Sequence, residues 1–410
     1  MENYHTHLLE NGMRVVHLPH VSPVAYCGVI VDVGSRDESE EEYGMAHFVE
    51  HMLFKGTNKR RASQIINRLE DVGGELNAYT SKEETVVYAG FLKEYTERTI
   101  ELIADLVQHS IFSQKEIEKE IVVVQDEIQS YNDSPSELIY DDFEEMLFDS
   151  SPMAHNVLGS SKHIERFTSE RICAFYNRFY QPENIVFFSF GNTDFKKIVR
   201  WVEKYFDFSS NGFQNNERVV PPSFFAEDKV LKRDTFQTHY LMGSRAYDIH
   251  HPERITLYML NNILGGPGLN SILNLALREK NGLVYHVESS VQTFTDCGWW
   301  GVYFGTDPEN ADRCERLVRK ELKNLCDHRI SDSKLKKYKQ QLLGQLAISA
   351  ENKENVALSL GKSYMRYGKF DDNKQVRQEI EFITSERLQK VASEIFDSNN
   401  LTVLKYSNRA

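Results

Sequence analysis

Two histidines and a glutamate stand close together in an otherwise apolar stretch near the N-terminus. Between Met45 and Phe54 every residue is apolar except His47, Glu50 and His51. A helix that is apolar on all sides is usually buried, and burying three polar side chains without partners would be costly. On such a helix the two imidazoles, at positions i and i+4, lie on one face with the carboxylate beside them.

Two interpretations fit these three residues. In the first, the imidazoles are core histidines that form hydrogen bonds with the backbone. In the second, they bind a metal ion, because His-x-x-Glu-His is the inverted form of the zinc-protease helix, in which the glutamate is the base. A chance match occurs in roughly a few per cent of chains of this size, so the motif alone is a hypothesis.

A catalytic zinc site needs a third protein ligand and one open position for water. A helix predicted over about residues 114–129 carries two acids, Glu120 and Glu127, on one edge of its apolar stripe. That stripe consists of Ile117, Ile121, Val124 and Ile128. Glu127 is the best candidate for the third ligand. Zinc held in this way would lower the pKa of its water to about 7, and Glu50 could pass the proton to a leaving amine.

Glu120 has two interpretations of similar weight when only the periodicity is considered. It can orient a metal ligand or maintain the local field as an outer group of the site. It can equally be an ordinary acid at the edge of a helix.

Composition bounds the class of protein. The 410 residues predict two or three domains, and 40% hydrophobic with 27% charged residues is typical of a soluble globular protein. The net charge of −13 argues against a nucleic-acid partner. We expect a cytoplasmic protein, because the chain has five scattered cysteines and no signal peptide, transit peptide or transmembrane segment.

Alternating strand and helix patterns predict an α+β fold of two homologous domains of about 200 residues each. Each would be a mixed, mostly antiparallel sheet packed with helices. We assign residues 1–206 to the metal-binding catalytic domain, 207–230 to a linker and 231–410 to a second domain without metal. Residues 112–121 align without gaps to 330–339, and that register places Tyr338 opposite Glu120 and Gln345 opposite Glu127. The second half therefore lacks both carboxylates.

Several segments together resemble one known family. They are residues 34–36, 47–57, 73–80 with Glu83 and Thr85, then Glu120 and Glu127, and residues 278–285. The chain resembles the pitrilysin–insulysin superfamily of inverted zinc peptidases. It is most similar to the short-chain branch typified by the catalytic subunit of mitochondrial processing peptidase and its bacterial relatives. The resemblance covers nearly the whole chain.

This resemblance implies one zinc ion per chain. His47, His51 and Glu127 would be its ligands and Glu50 the general base. Glu120 would correspond to the additional active-site glutamate of the family.

The resemblance also implies how a substrate is held. The strand with Asn77, Ala78 and Tyr79 would pair with an extended peptide by edge-strand addition. Arg278 and Tyr285 would grip the peptide and stabilise the tetrahedral oxyanion. Two copies would close around a chamber, so that this Arg/Tyr pair acts on the zinc site of the partner copy.

Two features of the second half bear on that expectation. The loop 265–268 resembles the glycine-rich loop of the family with a proline interposed. Ile272 stands where the family often has an arginine, which affects how the second half contacts a substrate but leaves the zinc site intact.

The sequence thus predicts a zinc-dependent endopeptidase that acts on oligopeptides in a homodimeric chamber. The alternative is a non-catalytic scaffold or partner subunit of the same fold, but such relatives lose the metal ligands that this chain keeps. A second alternative is a half-enzyme that needs a different short chain. The presence of both the zinc motif and the Arg/Tyr pair favours self-pairing instead.

Overall fold

Short strands and amphipathic helices alternate along the computed structural model, which describes residues 4–210, 212, 217–370 and 373–407. The elements of the first half are β1 His5–Leu8, β2 Arg14–Pro19, β3 Val24–Val31, α1 Met45–Leu53, α2 Ala62–Glu70, β4 Glu75–Thr80, β5 Thr85–Leu92, α3 Thr96–His109, α4 Gln114–Asn132, α5 Pro135–Phe148, α6 Ser161–Ile164, α7 Ser169–Phe179, β6 Ile185–Gly191 and α8 Phe195–Tyr205.

The second half follows a similar pattern. Its elements are β7 Asp228–Lys232, β8 Thr238–Arg245, α9 Arg254–Gly265, a π-helical segment Asn274–Glu279, β9 Val284–Thr293, β10 Gly298–Thr306, α10 Ala311–Asp327, α11 Asp332–Ser349, α12 Lys353–Tyr367, α13 Asn373–Phe382, α14 Ser385–Ile395 and β11 Thr402–Ser407. Helices α4 and α11 begin at aligned positions of the sequence repeat, Gln114 and Asp332. Within the described ranges, no helix combines the length and the apolar character that crossing a membrane requires.

The strands form two mixed sheets. The first has the order β1-β2-β6-β3-β5-β4 and the second the order β7-β11-β8-β10-β9. All neighbours are antiparallel except the pairs β2–β6 and β7–β11, which are parallel. The predicted architecture, two mostly antiparallel mixed sheets packed with helices, is confirmed.

The chain divides into two compact units, and each unit takes a segment from the other half of the sequence. The first unit comprises residues 1–129, 155–218 and 350–370; the second comprises residues 130–154, 219–349 and 371–410. Helix α5 thus belongs to the second unit and α12 to the first. The division predicted from the sequence, with domains at residues 1–206 and 231–410, instead assigns α5 to the first domain and α12 to the second. Within the expected linker, residues 211 and 213–216 lie outside the described residues, and β7 occupies its end.

In the first unit, helices cover both faces of the six-stranded sheet. Buried side chains of α1, α3 and α4 share one core with β3 and β5. On the other face, Ala357 and Leu360 of α12 pack against Val186 and Phe188 of β6. Among the described residues, strand β4 lies at the edge of this sheet and pairs only with β5. No other described strand pairs with the second long side of β4, which lies next to the candidate metal-binding helix α1.

Candidate metal centre

Helix α1 begins at a conformation that favours glycine. Gly44, its N-cap, has φ 93°, in the left-handed region. The buried Glu38 carboxylate accepts hydrogen bonds from the Gly44 and Ala46 N–H groups, at 2.9 and 2.7 Å. Burial raises the pKa of Glu38, and these two N–H donors oppose that effect. Glu38, which precedes the helix, therefore satisfies two of the backbone donors at its N-terminus.

The two histidines of α1 and the distal glutamate of α4 come together within the first unit. His47 Nε2 lies 3.7 Å from Glu127 Oε1, and His51 Nε2 lies 3.5 Å from Glu127 Oε2. One ligand atom from each of the three residues lies within 4.8 Å of the other two. Two ligands at about 2.0–2.2 Å from a tetrahedral zinc ion are separated by about 3.3–3.5 Å. The two distances to Glu127 are close to this separation, so the three side chains could hold such an ion with small rotations.

The chemistry of the His47 imidazole also fits a cation. Burial, followed by the proximity of His51, lowers the pKa of His47 to about 3, so His47 is neutral and its nitrogen can act as a ligand. His47 Nδ1 is buried without a hydrogen-bond partner. Glu127 has a side chain that is 43% exposed, which leaves solvent access to the fourth position of the site.

Glu120 lies behind His51 and orients it. Its Oε1 is 2.9 Å from His51 Nδ1, and its Oε2 is 2.6 Å from Lys55 Nζ. Burial alone would raise the pKa of Glu120, but the hydrogen bonds with His51 and Lys55 outweigh it and lower that pKa. An ionised carboxylate that accepts the Nδ1 proton directs His51 Nε2 toward the ligand set. Of the two interpretations of Glu120, this geometry favours the group that orients a metal ligand over the ordinary acid at a helix edge.

Glu50, the candidate base, lies next to the last residue of β4. The side chain is buried, and Thr80 Oγ1 donates a hydrogen bond to its Oε2 at 3.0 Å. Burial raises the pKa of Glu50, although His51 and the Thr80 hydrogen bond lower it in part. A carboxylate with a raised pKa is a better proton acceptor than a solvated one.

Sequence reasoning did not assign a role to Lys55 or Thr80. Lys55 lies two residues beyond the end of α1, so helical spacing gave no signal that it would reach the site. Thr80 ends the strand that carries Asn77, Ala78 and Tyr79. Since strand side chains alternate, Ala78 and Thr80 share the face that reaches Glu50, while Asn77 and Tyr79 point to the other.

The second unit brings Arg278 and Tyr285 together. The Arg278 guanidinium carbon lies 5.6 Å from the centre of the Tyr285 ring, within the range of a cation–π contact. Tyr285 is 84% exposed at the start of β9, and Arg278 lies in the π-helical segment. Both side chains are thus presented on the surface of their unit.

The first unit brings together three side chains that could hold a metal ion, with the buried Glu50 carboxylate beside them. Residues 14–161 match the family model described as insulinase (peptidase family M16), and residues 166–342 match the model described as peptidase M16 inactive domain. The chain is 32% identical over 399 residues to an uncharacterized zinc protease of Rickettsia felis, covering 97% of this chain and 96% of the relative. It is 30% identical over 390 residues to the uncharacterized zinc protease YmxG of Bacillus subtilis, covering 94% of each.

The chain belongs to the insulinase, or M16 peptidase, family, within the superfamily that its sequence resembles. Solved structures share the fold along the full length. A protease from Helicobacter pylori has a TM-score of 0.92 at 22% identity, covering 99% of both chains. A peptidase M16 inactive domain from Pseudomonas fluorescens has a TM-score of 0.92 at 18% identity, covering 100% of this chain and 98% of that one.

Proposed function

We propose that this chain is a zinc-dependent endopeptidase that hydrolyses oligopeptides bound as extended strands. The observation that carries the proposal is the convergence of His47, His51 and Glu127, whose ligand atoms lie within 4.8 Å of one another, a separation that a shared metal ion can bridge. Relatives over almost the whole chain carry the name zinc protease, which supports the same activity.

The residues around the ligand set have distinct tasks. Zinc, when bound, polarises the scissile carbonyl and lowers the pKa of the attacking water. Glu50 accepts a proton from that water and delivers it to the leaving amine nitrogen. Glu120 holds His51 in one orientation and one tautomer through Nδ1. Lys55 keeps Glu120 ionised for that task.

The open edge of β4 is the proposed binding surface for the peptide. An extended peptide would add to β4 through backbone hydrogen bonds at residues 77–79, and its alternate side chains would face the two sides of the sheet. Folded proteins present few free strands, so this mode of binding selects unfolded segments and oligopeptides.

We further propose that the active form is a homodimer that encloses the substrate. Arg278 and Tyr285 of one copy would then contact the peptide at the zinc site of its partner. The exposure of both side chains supports this role, because they can meet a second copy. A guanidinium and a phenol there would stabilise the developing oxyanion.

The test is a zinc assay combined with digestion of a peptide library. We expect about one zinc per chain, hydrolysis abolished by a chelator, and recovery of hydrolysis when zinc is returned. Protein that lacks zinc after purification in zinc-containing buffer, or peptide cleavage that continues in the presence of a chelator, would refute the proposal. A scaffold of the same fold would give neither zinc nor cleavage.

A further inference from the structure

The turn between β4 and β5, residues 81–84, is held by side chains from distant parts of the chain. Thr80 comes directly before this turn, and its hydroxyl is the group that donates to Glu50. Within the turn, Ser81 N–H donates to the Glu84 carbonyl at 2.8 Å. Any shift of the turn is therefore transmitted to the hydroxyl that contacts the candidate base.

Glu83 is fixed through both its side chain and its backbone. Its carboxylate accepts from Arg36 Nη1 at 2.6 Å, and the two side chains are only 7% and 1% exposed. Its backbone carbonyl accepts from Arg218 Nη2 at 3.0 Å and from Arg366 Nη2 at 2.9 Å. Buried charge-assisted hydrogen bonds of this kind are stronger than neutral ones and hold one geometry.

Helix α12 supplies two of the cations. Lys362 Nζ lies 2.6 Å from Glu84 Oε1, and Arg366 Nη2 lies 3.5 Å from Glu84 Oε2. Lys362 and Arg366 are four residues apart and so share one face of α12. Arg366 Nη1 also donates to Asp32 Oδ1 at 2.6 Å. Asp32 directly follows β3, so this contact anchors the Arg366 guanidinium at the end of that strand. We call Arg36, Arg218, Lys362 and Arg366 the turn clamp.

We propose that Thr80 is a positioning residue for Glu50, and that Lys362 and Arg366 act on Glu50 through the turn and Thr80. This inference rests on the proposed function. The terminal torsion of a glutamate has no sharp preference, so a partner must fix the direction of the carboxylate oxygens. A misplacement of about 1 Å at a reacting group can cost about a hundredfold in rate. Residues of the second half of the sequence thus set the geometry of the base in the first.

Thr80→Val keeps the shape of the side chain and removes the hydroxyl donor. We expect kcat to fall about tenfold or more, with KM and bound zinc unchanged, because only the orientation of Glu50 is lost. Thr80→Ser restores the donor and should restore kcat to within about threefold of the parent, the size of an ordinary context effect. A Thr80→Val enzyme as fast as the parent would overturn the proposal.

The role of α12 is tested by Arg366→Met, with Arg14→Met as the matched control. Arg14 also contacts α12, donating to the Met365 carbonyl at 3.5 Å, and within the described part of the chain its hydrogen bonds go to Met365 and not to the turn. We expect Arg366→Met to lower kcat and Arg14→Met to leave it unchanged. The double variant with Thr80→Val should be no slower than Thr80→Val alone, because both changes act through one hydrogen bond. Effects that multiply would show a separate structural role and contradict the proposal.

Lys362→Met provides a milder variant if Arg366→Met does not fold, because Lys362 is 41% exposed. We expect Lys362→Met to lower kcat as Arg366→Met does. Combined with Thr80→Val, it should lower kcat no further than Thr80→Val alone. Full activity in Lys362→Met would contradict its assigned role.

Amide hydrogen exchange gives a readout that needs neither zinc nor substrate. In the metal-free protein, the Ser81 amide should exchange faster in Arg366→Met than in the parent or in Arg14→Met. Unchanged exchange would refute the coupling between α12 and the turn. If the zinc-loaded parent cleaves no peptide, the proposed function fails. The exchange experiment still tests whether the turn clamp holds the turn. If the parent cleaves peptides and Thr80→Val is unaffected, only the present inference fails.

Discussion

At the scale of single residues, the site depends on which atom each polar side chain contacts. The sequence could indicate that His47, His51 and Glu127 meet, because helical spacing fixes the first two and the edge of an apolar stripe offers the third. It could not indicate that Lys55 pairs with Glu120 or that Thr80 contacts Glu50. Such partners depend on how elements approach in three dimensions, and a periodic pattern carries no information about that approach.

The role of Glu50 leads to the first prediction at this scale. Glu50→Gln should retain zinc, because the amide leaves all three ligands in place, and should lose turnover by about a hundredfold or more, because an amide cannot accept the proton. Zinc content and kcat measured on the same preparation check this. A variant that cleaves as fast as the parent would show that another group is the base.

A second prediction concerns a histidine outside the site. His17 is 1% exposed, and its Nε2 has no hydrogen-bond partner among the described residues. Burial, followed by the proximity of His5, lowers its pKa to about 4. The unfolded chain takes up this proton near pH 6.5, so the folded state loses stability as the pH falls from about 6.5 to about 4. That loss is about 3 kcal/mol for a fully formed shift of this size.

Urea unfolding between pH 7.5 and pH 5 measures this contribution. His17→Gln should flatten the decline of the unfolding free energy toward acid pH. His328→Gln, at an exposed position after α10, is the control and should leave the decline as it is in the parent. An unchanged decline in His17→Gln would mean that His17 is not the acid-sensitive group.

At the scale of elements, the division of helices between the two units is the feature that the sequence did not reveal. An amphipathic stripe shows that a helix buries one face but not which sheet covers it. Helix α5 buries Phe143 and Leu147 among residues of β8 and β10, and α12 buries Leu360 against β6. The strands and most helices could be predicted, since alternation and apolar periodicity are local properties.

Close packing of α12 on the first sheet gives a prediction with a matched control. A Cβ at Gly361 would lie 2.8 Å from Ile30 Cδ1 and from Phe188 Cδ1, whereas a Cβ at Gly344 of α11 would meet no described atom within 4 Å beyond its chain neighbours and its own helix backbone. Gly361→Ala should therefore destabilise the protein by about 1–3 kcal/mol through overpacking. Gly344→Ala should stabilise it by up to about 1 kcal/mol through helix propensity. Urea midpoints measure both, and a stabilised Gly361→Ala would contradict the close approach.

At the scale of the whole molecule, the proposed homodimer makes a prediction that a monomer cannot meet. Glu50→Gln alone and the double variant Arg278→Ala/Tyr285→Phe alone should both be nearly inactive. In a mixture of the two, a mixed dimer contains one site with an intact Glu50 and an intact Arg/Tyr pair from the partner. If subunits exchange freely, about a quarter of parental activity should return.

The control for that mixture is the Arg278→Ala/Tyr285→Phe variant mixed with the triple variant Glu50→Gln/Arg278→Ala/Tyr285→Phe, which should remain inactive because no dimer then contains an intact Arg/Tyr pair. No recovery in the first mixture, despite exchange of subunits shown by two labels, would mean that the Arg/Tyr pair acts within its own chain or not at all.

The central claim is that one ion is held jointly by α1 and α4. An anomalous diffraction map collected at the zinc absorption edge tests it most directly. The account predicts a single peak per chain at about 2.0–2.2 Å from Nε2 of His47, Nε2 of His51 and a carboxylate oxygen of Glu127. A map from zinc-containing protein with no peak there, and with Glu127 turned into solvent, would contradict it.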